Sequence, residues 1–540
     1  MTNNKDIAQD QGTPLKWTYF SWKDILAAGL TILLLTLSYP DADMGHFAWI
    51  ALLPWLVLIG TRESPPVVAS FLIGAVFFIY NSSWLGYVTY PGWLGLSLYQ
   101  TMYFVAFAVA CSFVYRTLRI PLFLFAPFLW VAQEYLRSFV LSGFPWFFLA
   151  HTQYSYLSII QMSDITGAYG VSFIVVIINA CFADGILRWL GGKKPHMPVT
   201  LAFAISLVPL SYGMFSLAGL QIEEGPRLSL IQGNIPMSLK MDRSLRQNVE
   251  NLNKYLELSR QIEPAGVDLV VWPETSTPGL LNIDPGLFGR EIDRLSQSSI
   301  SKLAKELHTN LLIGGISLDP DSAAKEDKVF YNSAFFYKPD GTLTERYDKL
   351  HLVPFGEYTP LKDYFPFLRR MVPYQTGLTP GTDWHLFNLE CQDLRKFRFA
   401  TLICYEDTIP QVVRRFKRLG ADFMINITND GWFGDSAELD QHLAIMVLRA
   451  VENRVGIVRA ANTGISAFVA PTGDVYTLLH NEGKRREVEG VLEANVLLSP
   501  GESWYTAHGD IFAQICLAIT VGLLLGPTLR RYSQAPEKGQ

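Results

Sequence analysis

The chain has 540 residues, with 44 Lys and Arg against 49 Asp and Glu for a formal net charge of -5, and no basic stripe, so nothing points to a polyanionic partner such as nucleic acid. Hydrophobic residues make up 49% and aromatic residues 13%, rich for a soluble protein, and a membrane part is expected within two or three domains. The five cysteines, at 111, 181, 391, 404 and 516, lack C-x-x-C spacing, which indicates neither a zinc site nor a disulfide framework and predicts that Cys391 and Cys404 are free.

Residues 1–23 are polar, and the apolar run that follows shows no small-residue cleavage pattern, so it reads as an uncleaved first span. Apolar runs near 25–39, 46–60, 66–83, 96–115, 120–136, 166–190 and 199–219, with an eighth near 510–529, predict seven spans plus one. With the N-terminus inside, the inner loops collect Arg62, Arg116, Arg119, Arg188, Lys193 and Lys194, and the C-terminal tail collects Arg530, Arg531 and Lys538. That bias places the polar segment after the seventh span on the outer side. Glu134 and Arg137, at i, i+3 spacing on the fifth run, read either as an intrahelical pair or as part of a lipid-facing site.

From Pro226 charges become frequent, and short apolar runs alternate with amphipathic ones. Strands are expected at 227–232, before Glu274, at 310–316, before Cys404, before Asn429 and at 456–461, with helices at 247–260, 299–307, 410–419 and 441–453. An alternation of this kind gives an open sheet whose connecting turns gather at one edge. Residues 356–377 set aromatic and apolar side chains among Lys362, Arg369 and Arg370, and read either as a packed surface loop or as an apolar lid with basic anchors resting on a bilayer.

Three turns deliver chemistry. One apolar strand ends in Trp272-Pro273-Glu274, another in Ile403-Cys404-Tyr405-Glu406, and Lys349 lies in a turn between them. A free thiol has a pKa of about 8.5, so Cys404 needs a base or a cation, and Glu274 is the candidate base. Attack on an acyl carbon places negative charge on the carbonyl oxygen, which the Lys349 ammonium and a backbone N–H can hold. Glu357 is a candidate to orient Lys349 or the base, Tyr405 and Glu406 border the nucleophile, and His351 reads as structural. No histidine, metal or cofactor is required.

The Glu, Lys, Cys order, with Asn429-Asp430-Gly431-Trp432-Phe433 downstream, resembles the nitrilase superfamily over roughly residues 226–497. With the span layout, Gly143-Phe144-Pro145-Trp146 and Gln232-Gly233-Asn234-Ile235-Pro236, most of the chain resembles the apolipoprotein N-acyltransferase family. The resemblance implies an α-helical membrane domain over 1–220, a periplasmic α/β sandwich (α-β-β-α) over 221–505, and a last span with a cytoplasmic tail over 506–540, in a bacterial inner membrane. It implies that Cys404 takes an acyl chain from the sn-1 position of a phospholipid, typically phosphatidylethanolamine, and passes it to the α-amine of a diacylglyceryl-cysteine on an apolipoprotein. Asn234 and Asn429 are expected in support, and Phe144, Trp146, Met241, Phe365, Phe367 and Leu368 as lipid contacts. Where the family often has tryptophan after a lysine, Lys240 is followed here by Met241. A membrane-tethered amidase whose acyl-enzyme is resolved by water uses the same three residues. A transporter or scaffold with a dead outer domain is disfavoured by their intactness.

Overall fold

The computed structural model describes residues 21–533 apart from 264, 288, 324, 355 and 359–376. Each of the eight apolar runs contains helix: Trp22–Ser38, Leu53–Thr61, Val67–Asn81, Tyr90–Leu118, Ala126–Arg137, Ala168–Leu190, His196–Gly219 and Ile511–Ser533. Three of them, Tyr90–Leu118, Ala168–Leu190 and His196–Gly219, are long and apolar enough to cross a membrane. At roughly 1.5 Å per residue the 12-residue helix Ala126–Arg137 is well short of a bilayer core of about 30 Å, so among the described residues three of the expected spans are matched by length. The helices interlock through aromatic side chains, with Trp55 stacked on Phe104 at 5.2 Å. Val67–Asn81 and Tyr90–Leu118 meet almost backbone to backbone, since a Cβ on Gly74 would lie 3.0 Å from the Thr101 Cα.

Glu134 and Arg137 are both buried, which removes the lipid-facing alternative. Glu134 Oε1 accepts the Trp130 indole N–H at 2.8 Å and the Leu149 N–H at 2.9 Å, while Arg137 donates to the Trp146 carbonyl at 2.6 Å. The two charges brace the loop that follows them.

Among the described residues, the second half contains twelve strands in two six-stranded sheets. The first runs β12 (Gly490–Leu498), β1 (Glu223–Gln232), β2 (Leu269–Val271), β3 (Asn310–Leu318), β4 (Phe330–Tyr337), β5 (Leu343–Asp348). The second runs β11 (Val475–Leu478), β10 (Ala467–Val469), β9 (Gly456–Ala461), β8 (Phe423–Thr428), β7 (Lys396–Ile403), β6 (Phe387–Glu390). In each, the middle strands β1-β2-β3 and β7-β8-β9 are parallel and antiparallel strands flank them.

Side-chain alternation builds the layers. Leu269 and Val271 of β2 join the core between the sheets, where Phe336 meets Phe387 at 5.7 Å and Phe399 at 5.9 Å. Val270 and Trp272 face the other way, into a second core with Leu252 and Leu256 of the helix Leu245–Ser259 and Ile300 and Leu303 of the helix Glu291–Leu307. Helices Pro410–Arg418 and Glu438–Asn453 contribute Val413, Phe416, Leu443 and Val447 to the first core. The result is the α-β-β-α sandwich that the resemblance implies, with two sheets where the alternation of runs alone suggests one open sheet. Beyond the last expected strand, at 456–461, the structure adds β10, β11 and β12, the last of which returns to pair with β1.

One amide ties the two halves together. Gln441 Oε1 accepts the indole N–H groups of Trp84 at 3.2 Å and Trp146 at 2.9 Å, and its Nε2 donates to the carbonyls of Pro40 at 3.1 Å and Asn81 at 3.2 Å.

Candidate active site

Glu274 follows β2 directly, Lys349 follows β5, and Cys404 follows β7, so three ends of an α/β sandwich deliver three reactive groups to one edge. The Glu274 turn is pressed against β3, where the Gly314 carbonyl accepts the Ser276 N–H at 2.9 Å. A Cβ on Gly314 would fall 2.8 Å from the Glu274 Cα, so only glycine fits beside the turn.

The Lys349 side chain is fully buried, with Nζ 2.8 Å from Glu357 Oε2 and 3.7 Å from Glu274 Oε1. Asn332, on β4, donates its amide to Glu274 Oε1 at 2.7 Å and to Glu357 Oε1 at 3.1 Å, and its carbonyl accepts the Lys349 N–H at 2.8 Å. Glu357 is secured in turn by the Val353 N–H at 2.8 Å. One asparagine thus spaces two carboxylates around one ammonium. Sequence reading missed it, although a polar residue inside the aromatic run Phe330–Tyr337 was its visible signal.

Cys404 sits at φ 53°, in the left-handed region that costs an ordinary residue roughly 1–2 kcal/mol. The turn is held by Asn426, which donates to the Cys404 carbonyl at 3.0 Å, and by Glu406. Glu406 Oε2 accepts the Ile403 N–H at 2.7 Å, while its Oε1 accepts the Leu350 N–H at 2.8 Å, the His351 N–H at 3.1 Å and the Tyr347 hydroxyl at 2.9 Å. The nucleophile turn and the lysine turn are therefore clamped to the same carboxylate. Tyr405 donates its hydroxyl to the Gly143 carbonyl at 3.3 Å, joining the site to the helical half, and the His351 ring packs against it at 6.1 Å.

Burial raises the Glu274 pKa against the opposing pull of Lys349. Burial also raises the Cys404 pKa, and Glu274 adds to it while Lys349 counters. For Lys349, burial would lower the value, but Glu357, Cys404 and Glu274 more than offset it, so the ammonium is firmly charged. In the resting site the proton therefore belongs on the thiol, with the Lys349 cation beside it.

The other expected residues stand further off. Asn234 and Asn429 are joined through Asn462, whose carbonyl accepts the Asn234 N–H at 2.8 Å and whose amide donates to Asn429 Oδ1 at 2.8 Å. These bonds join the neighbouring strand ends. Trp146 is buried and committed to Gln441, while Phe144 is half-buried and stacked on it at 5.8 Å. Met241 is 42% exposed. Phe365, Phe367 and Leu368, with most of the expected lid, lie outside the described residues. Cys391 is buried, and its pKa is pushed up to about 12 by burial and by Asp268.

Asp430, Glu438 and His442 have ligand atoms within 4.8 Å of one another. His442 Nε2, however, lies 2.7 Å from Asp407, which Arg459 also meets at 2.5 Å. Burial and Arg459 oppose protonation of His442, yet Asp407 holds it up to about 9, so it is a cation in a closed ion-pair network.

Residues 32–181 match the family described as apolipoprotein N-acyltransferase N-terminal domain, and residues 227–505 match the carbon-nitrogen hydrolase family. A protein of Geobacter metallireducens named apolipoprotein N-acyltransferase is 35% identical over 517 residues, covering 92% of this chain and 94% of that one. The chain belongs to the apolipoprotein N-acyltransferase family. Relatives of the same name from Chlorobaculum tepidum, 28% identical over 93% of this chain and 96% of theirs, and Treponema denticola, 27% over 94% and 96%, align along nearly the same length. Among solved structures, an amidase from Nesterenkonia sp. is similar at a TM-score of 0.35 and 17% identity, over 55% of this chain and 98% of that one. As an apolipoprotein N-acyltransferase, the protein joins a helical, membrane-type half to a carbon-nitrogen hydrolase half.

Proposed function

We propose that acyl transfer runs in two steps through a thioester on Cys404, with Glu274 as base and Lys349 as oxyanion stabiliser. Glu274 takes the thiol proton as the sulfur attacks the sn-1 ester carbonyl of a phospholipid, phosphatidylethanolamine being the expected donor. Lys349 and a backbone N–H at the strand end hold the oxyanion. Its collapse breaks the ester bond, and the leaving lysophospholipid oxygen takes the proton back from Glu274. The α-amine of a diacylglyceryl-cysteine on the apolipoprotein then attacks the thioester carbonyl, Glu274 accepts a proton from the nitrogen, and the departing thiolate recovers it. The product is an amide.

The observation that carries this reading is the Glu274, Lys349 and Glu357 cluster beside a thiol on a left-handed turn. The helical half over 1–220 and the last helix belong, in this reading, to a bacterial inner membrane, with the 221–505 domain on the periplasmic side. Phe144 and Met241 would line the donor's path, because each methylene of an acyl chain left in water costs about 0.8 kcal/mol.

Intact mass after incubation with phospholipid tests the reading. One added acyl group is expected on the wild-type chain and none on Cys404→Ala, while Cys391→Ala behaves as wild type. The adduct should persist until a diacylglyceryl-cysteinyl peptide is supplied. Rapid release of free fatty acid without acceptor would mark a hydrolase, and acylation of the Cys404 variant would overturn the site.

A further inference from the structure

A second ammonium stands beside the base and has no part in the steps above. Lys240 ends the short helix Met237–Lys240, and its Nζ donates to the Glu274 carbonyl oxygen at 3.3 Å and to the Thr275 hydroxyl at 3.3 Å. Thr275 is held at φ 47°, so the chain leaves the base through a left-handed residue, where an ordinary side chain is strained. Strand β3 supports the backbone of this turn through the Gly314 carbonyl, which accepts the Ser276 N–H. Lys240 supplies a second support from another element. Both of these partners are neutral, so among the described residues no contact ion pair cancels its charge, and that charge favours the ionised form of Glu274.

We propose that Lys240 is a positioning residue for acyl transfer, fixing the Glu274–Thr275 turn by its two hydrogen bonds and keeping the Glu274 carboxylate available as base by its charge. The inference rests on the reading of Glu274 as the base. Lys349 and Glu357 face the same carboxyl from the chain beyond β5, Asn332 faces it from β4, and Cys404 from the end of β7. Lys240 is the member of this group whose charge is most easily lost: burial lowers its pKa to about 8, against the pull of Glu274. A phosphate of the donor lipid is the other partner an ammonium suits. Two of the three N–H groups are already spent on the turn, which favours the positioning role.

The test compares full-length wild-type enzyme with Lys240→Met and Lys240→Arg, using phospholipid and a short-chain p-nitrophenyl ester as donors across the pH range. Lys240→Met should lower kcat about 10-fold with both donors, as loss of a hydrogen bond from a charged group predicts, and leave KM nearly unchanged. It should also move the acid limb of the profile upward by about one pH unit, because Glu274 loses a neighbouring cation. Lys240→Arg keeps the charge, so its acid limb stays at the wild-type position, and any decline that begins as wild-type Lys240 deprotonates should move to higher pH.

A rise in KM confined to phospholipid would assign Lys240 to the phosphate and overturn the inference. Equal losses in both variants with unmoved limbs would reduce it to packing and overturn it as well. Should Lys240→Met fail to elute as folded protein, the shifted alkaline decline of Lys240→Arg decides alone. Acylation of Cys404→Ala, run alongside, would instead overturn the catalytic reading itself, whatever the Lys240 variants do.

Discussion

Asn332 is where the chemistry depends most on one neutral side chain. It donates to Glu274 and Glu357 together, and removing a hydrogen bond to a charged group costs about 1.5–3 kcal/mol, so Asn332→Leu should lower kcat/KM by roughly 10- to 100-fold. Burial already raises the Glu274 pKa and the Asn332 amide pulls it down, so the same variant should need a higher pH before its base is ionised. Iodoacetamide labelling of Cys404 against pH measures this without any lipid; an unchanged profile would remove Asn332 from the site. Glu406 makes a separate pH prediction. Its pKa is raised to about 7, chiefly by burial, so the folded protein keeps a proton that the unfolded chain releases near pH 4.5. The stability this contributes is complete below that value and is lost as pH rises through about 7. Thermal melts of Glu406→Gln against pH should therefore lack that part of the wild-type slope, and an identical slope would show that another group titrates there.

At the scale of elements, the clamp on Glu406 joins the chain after β5 to the chain after β7, so displacing one turn displaces the other. Tyr347→Phe removes one of its four donors and nothing else, and a loss of about 1 kcal/mol in stability is expected from a melt. A loss of activity much beyond tenfold would mean that the clamp's geometry tolerates no slack. The strands that carry Glu274, Cys404 and Asn429 were legible because each is a short apolar run stopped by Pro-Glu, Cys-Tyr-Glu or Asn-Asp-Gly. The β4–β5 hairpin was not, since Phe330–Tyr337 is aromatic on both faces and shows no alternation, and Lys349 therefore read as a turn in a loop. With β4 unseen, Asn332 had no visible place. The second sheet was hidden for a related reason: both faces of each sheet are covered, so apolar runs report burial but not which layer a strand joins. Span counting was matched in part. Each of the eight apolar runs contains helix, but a 12-residue helix such as Ala126–Arg137 is set by packing and by its buried Glu134 and Arg137, not by bilayer thickness.

For the whole molecule, Gln441 is the tie whose loss should be felt farthest away. Gln441→Leu strands two indole N–H groups and two carbonyls, and each unpaired buried group costs about 1–3 kcal/mol. A lower Tm and faster hydrogen exchange near Trp84 and Trp146 are expected, and wild-type exchange there would show that the Gln441 amide is not what holds the halves together. The proposed orientation predicts that a reporter active only in the periplasm stays silent when fused after Gln540. On the proposed reading, the hydrogen bond that joins Tyr405 to Gly143 also bears on how the enzyme meets its substrate. With the helical half in a bilayer, a thiol pinned beside it samples esters by their mole fraction in the lipid sheet, not by their molarity in the surrounding buffer. Adding buffer around the same vesicles should leave the acylation rate unchanged, whereas replacing donor with ether-linked lipid that has no ester should slow it in proportion, because capture is a collision in two dimensions.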